Sequence, residues 1–409
     1  MPPDFRRLWL GESVSLVGSR LTEFALPLIA LITLHANAAQ LGLLSALQFG
    51  PIAVGALPAG VLVERCRKRR LMLVANLGRA AVYGAVPLLA VAGLLSLTSL
   101  AVVALAGGAL TAVFDVAYGA YLPVVVPEDA LVRANAQLEG SAAIAEVSGQ
   151  GLGGAIVQAL GPICAPLFDA ATYLFSASLL MRMKTTERVP AAAARRSPAA
   201  AGHDLWDGLR SVFGPGVLRP VMLQSAWLNA LLQVAVVVVP VYALRGLGLS
   251  PAALGFVLAA GSAGSVAGCA LADALGRRCG VSAALVIGMS LTCSAYVLLP
   301  LAALPGAPPA LTLGAGYVVY GFGLAVFNVH SLSLRVAVTP PELLGRTLAS
   351  YRFVTWAPMP LGALAGGALA ELVGAPGTLI AVAAGLSASA AAFAWRFRHA
   401  ATAASSAAA

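Results

Sequence analysis

Charge is what this sequence has least of. Asp, Glu, Lys and Arg make up 10 % of its 409 residues and hydrophobic residues 60 %, whereas a soluble domain is about 25 % charged. So little polar surface cannot coat a water-soluble globule, and lipid must serve as the solvent. The five cysteines, Cys66, Cys164, Cys269, Cys279 and Cys293, show neither CxxC nor metal-ligand spacing. Free thiols and no metal centre are expected. The four histidines, His35, His203, His330 and His399, are scattered, with no paired nucleophile and base, so an enzyme is not expected. A phosphate-cradling GxxxxGK[ST] loop is missing, which argues against ATP as the power source. No cofactor is expected.

What is present is a series of apolar segments near the length of a membrane-spanning helix, about 20 residues. The net charge of +9 does not point to nucleic acid, because the basic residues sit between these segments. With the N-terminus placed in the cytoplasm, Arg6 and Arg7, Arg65 to Arg70, Arg133, the 182–219 segment, Arg277 and Arg278, Arg346, Arg396 and Arg398 share one side. Only Arg245 is left in a loop on the other. That asymmetry orients polytopic proteins, and an even number of spans with both termini cytoplasmic follows. The first segment is longer than a signal-peptide core and runs directly into further spans, so it should remain as a helix. Preference for Arg over Lys, with abundant Ala and Gly, suggests a GC-rich bacterial gene and hence the cytoplasmic (inner) membrane.

The pattern predicts spans at 8–34, 41–64, 71–94, 97–124, 135–160 and 163–181, then at 218–244, 251–274, 282–301, 311–338, 347–372 and 376–397. The expected fold is an all-α membrane protein of twelve transmembrane helices in two six-helix bundles, 1–183 and 218–398. A linker rich in Ala, Arg and Pro joins them at 184–217, and a disordered tail is expected at 399–409. Within the linker Leu205, Trp206, Leu209, Val212 and Phe213 recur at helical spacing beside Asp204, Asp207 and Arg210. This fits an amphipathic helix on the inner membrane surface or an ordinary connector. Phe114 and Phe327, Val116 and Val329, Pro127 and Pro340, Leu131 and Leu344, and Arg133 and Arg346 are each 213 residues apart. Such a repeat predicts bundles related by an axis along the membrane normal.

At the end of the second span, Gly60, Leu62, Glu64, Arg65, Lys68 and Arg69 resemble the G-x-L-x-D-R-x-x-R-[KR] loop of the major facilitator superfamily, with Glu64 replacing the aspartate. A weaker copy containing Asp273 and Arg277 closes the eighth span. The resemblance covers nearly the whole chain. It implies that these residues lock and release the cytoplasmic ends of the two halves during alternating access; simple orientation of the chain is the plainer reading. The fifth span resembles the family's antiporter motif G-P-x-x-G-G through Gly149, Gln150, Gly151, Leu152, Gly153 and Gly154, with Gln150 in place of proline. Small residues also pack helices, as would Gly362, Gly366 and Gly367. The same run satisfies G-x-G-x-x-G, but no strand or soluble βαβ unit surrounds it, so no dinucleotide site is expected. The stretches FRRLWLGESVSLVGSRL, FDVAYGAYLPVVVP followed by LVRANA, and TPPELLGR resemble the enterobactin-exporter and macrolide-efflux branch. That branch often carries a small or acidic residue where this chain has Arg20.

An ionisable group at the bilayer centre costs at least about 2.5 kcal/mol, so each needs a partner, a wet cavity or a job. At a rise of about 1.5 Å per residue, Arg20 and Glu146 fall near mid-bilayer, and Asp115 and Arg79 at depths where they can meet. Glu23 lies one turn from Arg20, and a neutralising pair within the helix is the plain alternative to a transport role. Glu146 has no opposite charge within a turn of its own span and heads the proton-coupling candidates, ahead of Asp115 and Glu23, with Arg20 and Arg79 as charge partners. Asp169 reads as structural. Tyr118, Gln224, Trp227, Asn229, Gln233, Asn328 and His330 are the substrate-cavity candidates, with helix-to-helix packing as the bland reading of each.

Together these features predict a secondary active transporter, monomeric in the bilayer, that exports a small amphipathic organic molecule (a drug, siderophore or secondary metabolite) in exchange for protons. An importer or uniporter of a small metabolite on the same fold is the alternative.

Overall fold

The computed structural model describes residues 2–185, 187 and 217–408, and at 56, 57, 61, 64, 128, 132, 341–346, 349 and 398–408 the backbone alone. Helix α1 (Pro3–Leu28) runs into a π-helical turn, Ile29–Thr33. Then come α2 (Ala38–Arg65), α3 (Lys68–Val91), α4 (Leu97–Val125), α5 (Leu131–Leu160) and α6 (Ala165–Met181). Beyond the linker, α7 (Leu218–Val241) has its own π-helical turn, Tyr242–Gly246. It is followed by α8 (Pro251–Cys279), α9 (Val281–Ala295), α10 (Pro309–Val338), α11 (Pro341–Trp356) and α12 (Met359–Ala408). No strand occurs among the described residues.

Local chemistry sets several of these boundaries. Asn37 with Gln40 at the start of α2, and Ser96 with Ser99 at the start of α4, form reciprocal capping boxes that satisfy the first free N–H groups. Ten helices among the described residues are long and apolar enough to cross a membrane. One of them, Ser350–Phe397, is broken at Gly374, whose φ of 74° is a conformation that side chains resist. Helix α5 is continuous over 30 residues, but Arg133, Glu139 and Glu146 interrupt its apolar run. With that break and α5 included, the helices are consistent with twelve spans. Leu88 (71 %), Leu311 (73 %) and Leu372 (80 %) are among the side chains turned outward, a surface fit for lipid rather than water.

The chain separates into two compact units, residues 1–198 with 250–256, and 199–249 with 257–409. The start of α8 joins the first unit because Gly154 on α5 and Gly255 approach backbone to backbone. Each unit repeats the other's geometry at the 213-residue offset. The π-helical turns correspond residue for residue. Among the described residues six of the seven positive-φ positions pair, as His35 with Gly248, Gly93 with Gly306, and Gly161 with Gly374, while Gly280 stands opposite Arg67 at φ −66°. Gly108 of α4 lies against the Gln48 carbonyl of α2, and its counterpart Gly321 of α10 against the Gly261 carbonyl of α8.

At the C-terminal end the backbone differs from the disordered tail expected at 399–409. The residues after 398 continue α12 as helix to Ala408, because the alanine-rich sequence there has the highest intrinsic helix propensity. The amphipathic segment read at 204–213 lies outside the described residues, as does the Glu64 side chain.

Candidate functional site

Within the first unit the charged side chains gather around Arg20. Its Nη1 lies 2.7 Å from Glu23 Oε2 on the same helix, and its Nε lies 2.8 Å from Glu146 Oε2 on α5. Glu146 Oε1 also accepts from Gln150 Nε2 at 2.6 Å. The pair within α1 is the one that the plain alternative for Glu23 described. Glu146, expected to stand alone, is instead paired, because its counter-charge comes from another helix. Gly149 makes this possible: a methyl group there would come within 2.4 Å of Arg20 Cβ, so only a glycine lets α5 approach α1 this closely. Gly153 continues the contact against Phe24 and Leu21. One guanidinium shared by two carboxylates leaves one negative charge, which a single proton would neutralise. All three side chains are about one-third exposed at the surface of the protein.

Arg79 of α3 is buried beside this cluster. Its guanidinium lies 4.2 Å from the ring centroids of both Phe114 and Tyr173, and its Nη2 donates to Asn76 Oδ1. Asn76 Nδ2 in turn donates to Ser176 Oγ at 3.0 Å. Arg79 Nε has no acceptor among the described residues. Asp115, next to Phe114, is exposed on α4. Glu12, which the sequence reading did not single out, lies within electrostatic reach of both Arg79 and Asp115. Its Oε2 is buried without a hydrogen bond among the described residues. A signal was present: Glu12 precedes Glu23 by eleven residues, about three helical turns, so both acids share one face of α1. Tyr118 stacks on Phe114 with ring centroids 5.9 Å apart.

A small cavity of about 40 Å³ lies between α1, α2, α3, α4 and α6, lined by Thr22, Glu23, Gln48, Thr111 and Asp169 among others. Asp169 is fully buried against α1.

In the second unit, several candidates serve as links between or along helices. Gln224 Nε2 donates to Ser389 Oγ at 3.1 Å, Asn229 Nδ2 to the Thr355 carbonyl at 2.9 Å, and His330 Nδ1 lies 2.8 Å from the Val326 carbonyl. Gly362 and Gly366 bring α12 onto the Ala230 and Val234 backbone of α7. Gln233 is buried with its Nε2 unpartnered among the described residues, while Trp227 and Asn328 are exposed.

Residues 8–357 match the Major Facilitator Superfamily. The chain belongs to that family. It is a multi-pass membrane transporter and not an enzyme. It is 28 % identical over 348 residues to the multidrug efflux pump Tap of Mycolicibacterium fortuitum, a match that covers 81 % of each chain. Solved structures share the fold at lower identity. The nucleoside transporter NupG superposes with a TM-score of 0.73 at 12 % identity, over 97 % of this chain and 98 % of that one. A bacterial homologue of the iron transporter ferroportin, in its inward-facing state, reaches 0.69 at 15 % identity, over 96 % and 98 %.

The superfamily's loop residues after α2 are tied down within the first unit. The backbone N–H groups of Lys68 and Arg69 each donate to the Glu187 carboxylate at 2.6 Å. Arg69 Nε and Nη2 donate to the Leu180 and Met181 carbonyls at 2.8 Å. Asp4 Oδ2 accepts from the Lys184 and Thr185 backbone, so the chain leaving α6 is anchored twice. Gly60 faces open space, and Asp273 pairs with Arg277 on an exposed stretch of α8.

Proposed function

We propose that this superfamily transporter exports a small amphipathic organic molecule in exchange for protons. It acts as a monomer in a bacterial cytoplasmic membrane, with both termini inside. The observation that carries the reading is the sharing of Arg20 between Glu23 and Glu146. Two carboxylates on one guanidinium cannot both be fully satisfied, and a proton arriving from outside completes the charge balance. In the cycle we envisage, Glu146 takes that proton in the outward-facing state and gives it up inside as the next substrate binds. Similarity to an efflux pump supports the outward direction. Of the cavity candidates, Gln233 is proposed to contact substrate, as the repeat counterpart of Arg20 with an amide nitrogen that has no partner among the described residues. Trp227, Asn328 and Tyr118 complete that proposal. Glu64, Arg65 and the Asp273–Arg277 pair are assigned to gating.

The test is accumulation of a panel of dyes, antibiotics and siderophores in cells expressing the protein, with and without a protonophore. Lower accumulation that disappears when the proton gradient collapses, and that Glu146→Gln abolishes at unchanged expression, supports the reading. Higher accumulation of any compound turns it toward import. Full gradient-driven export by the Glu146→Gln variant removes Glu146 from the mechanism.

A further inference from the structure

We propose that the pocket beside Asp169 is a binding site for a monovalent inorganic cation such as sodium, held by the Asp169 carboxylate of α6 and the Thr22 hydroxyl of α1. The inference goes beyond proton-coupled export and does not depend on it.

Two unsatisfied atoms start the argument. Asp169 is 0 % and Thr22 2 % exposed, and the two side chains face one another. They come close enough to interact with one another, but not in good hydrogen-bond geometry, and neither Asp169 Oδ2 nor Thr22 Oγ1 has another partner among the described residues. A buried carboxylate oxygen left without a partner is among the costliest arrangements a fold can hold. Close packing prevents its escape. A methyl group on Gly18 would come within 2.7 Å of Asp169 Oδ1, so the carboxylate is pressed flat against α1. Both residues line the pocket, together with Ser19, Gln48, Thr111 and Glu23.

The fold does not need these polar groups. At the 213-residue offset, Asp169 corresponds to Val382, Thr22 to Ala235, Ser19 to Leu232, Gln48 to Gly261 and Thr111 to Leu324. The register is pinned on both sides of the comparison, by Gly161 with Gly374 and by His35 with Gly248. Val382 and Ala235 are each 1 % exposed, so the second unit builds the same buried positions from aliphatic side chains. Polar groups that packing does not require, converging from three helices and α6 on one cavity, point to a ligand.

The donor set names its class. Carboxylate, hydroxyl and amide oxygens without sulfur or imidazole suit a hard cation. A single positive charge matches the lining: of its two carboxylates, Glu23 is paired with Arg20, while Asp169 has no salt bridge among the described residues and feels Arg79 only through space. Arg79, the nearest other cation, is held by Asn76 and two aromatic rings and gives no hydrogen bond to Asp169 Oδ2. A cation here would bridge α6 to α1 at the residue preceding Glu23. Its occupancy would therefore fix the turn that carries the Arg20–Glu23 pair.

The test is thermal unfolding of the purified full-length protein in detergent, with sodium or potassium chloride exchanged for choline chloride at constant pH and ionic strength. A saturable rise in midpoint is expected, about 3 °C at roughly 100 times the half-saturating concentration. It should be lost in Asp169→Asn and shifted at least about tenfold toward higher salt in Thr22→Val. Equal midpoints in choline and both alkali salts overturn the proposal, as does an equal rise in Asp169→Asn. Stabilisation by acidification with no response to either metal ion assigns the pocket to a proton and also overturns it. Should Asp169→Asn fail to fold, saturable binding of radioactive sodium to the wild-type protein decides, and its absence overturns the site. Loss of proton-driven transport in cells does not bear on any of these readings, so the two proposals fail separately.

Discussion

Gly149 on α5 sits where any side chain would strike Arg20 Cβ on α1, the gap to a methyl group there being only 2.4 Å. The Arg20–Glu146 ion pair at 2.8 Å depends on that approach, since Glu146 lies one turn before Gly149. Gly149→Ala should therefore overpack the contact and destabilise the purified protein by about 1–3 kcal/mol, with a matching loss of transport. Gly60→Ala is the control. Nothing lies within 4 Å of a methyl group there, so the substitution should hold or gain up to about 1 kcal/mol of helix propensity. Thermal midpoints of the two variants in detergent check the contrast. Loss of transport in Gly60→Ala at full stability would reveal its gating role directly.

The sharing of Arg20 predicts a measurable coupling between residues on different helices. Arg20→Met leaves Glu23 and Glu146 without their cation. Because all three side chains are about one-third exposed, solvent screening limits the cost to about 1–2 kcal/mol. In a double-mutant cycle with Glu146→Gln the two losses should fall short of additivity by about 1 kcal/mol. Additive losses would mean that the ion pair contributes nothing in the membrane-extracted protein.

The helices were legible in the sequence because what specifies them is local. The fourth span, read as 97–124, is observed as Leu97–Val125, since a capping serine opens it and the apolar run closes at Pro127. The Arg20–Glu23 pair was legible for the same reason, as two charges one turn apart on a single helix. Glu146 was read as isolated because its partner arrives from α1 through glycine packing, a contact that crosses most of the first unit and leaves no trace in local spacing. The polar face around Asp169 was invisible for a stronger version of that reason, since five helices contribute to one pocket. The repeat was visible only where Phe, Pro and Arg break an aliphatic background. Its firmest marks are backbone conformations, and His35, with φ 52°, stands where the second unit has Gly248.

Glu187 is expected to hold the start of α3. Its carboxylate accepts the Lys68 and Arg69 N–H groups at 2.6 Å each, donors that the helix itself cannot satisfy. Glu187→Ala should cost about 1 kcal/mol, the size of a lost N-terminal cap, and should raise hydrogen exchange at residues 68 and 69 more than at the far end of α3. Uniform exchange along the helix would show that the cap is not what anchors it.

The repeat itself permits a reciprocal exchange at Asp169 and Val382. If the fold requires only a buried side chain of moderate size at these positions, Asp169→Val should leave the protein folded in choline buffer. Replacing a buried carboxylate by a well-packed aliphatic group is often neutral or stabilising, by up to about 1–4 kcal/mol. Val382→Asp should do the opposite, because it places a carboxylate where the second unit offers Ala235 and Gly261 in place of Thr22 and Gln48. A destabilisation of about 3 kcal/mol or more is expected there. Thermal midpoints of the two variants, measured side by side without alkali ions, separate packing from charge. Should both lower the midpoint equally, Asp169 would be a structural residue of the first unit, and its difference from Val382 would reflect divergence of the two packings. Should only Val382→Asp do so, the carboxylate at 169 is retained at a position where the fold would be at least as stable without it.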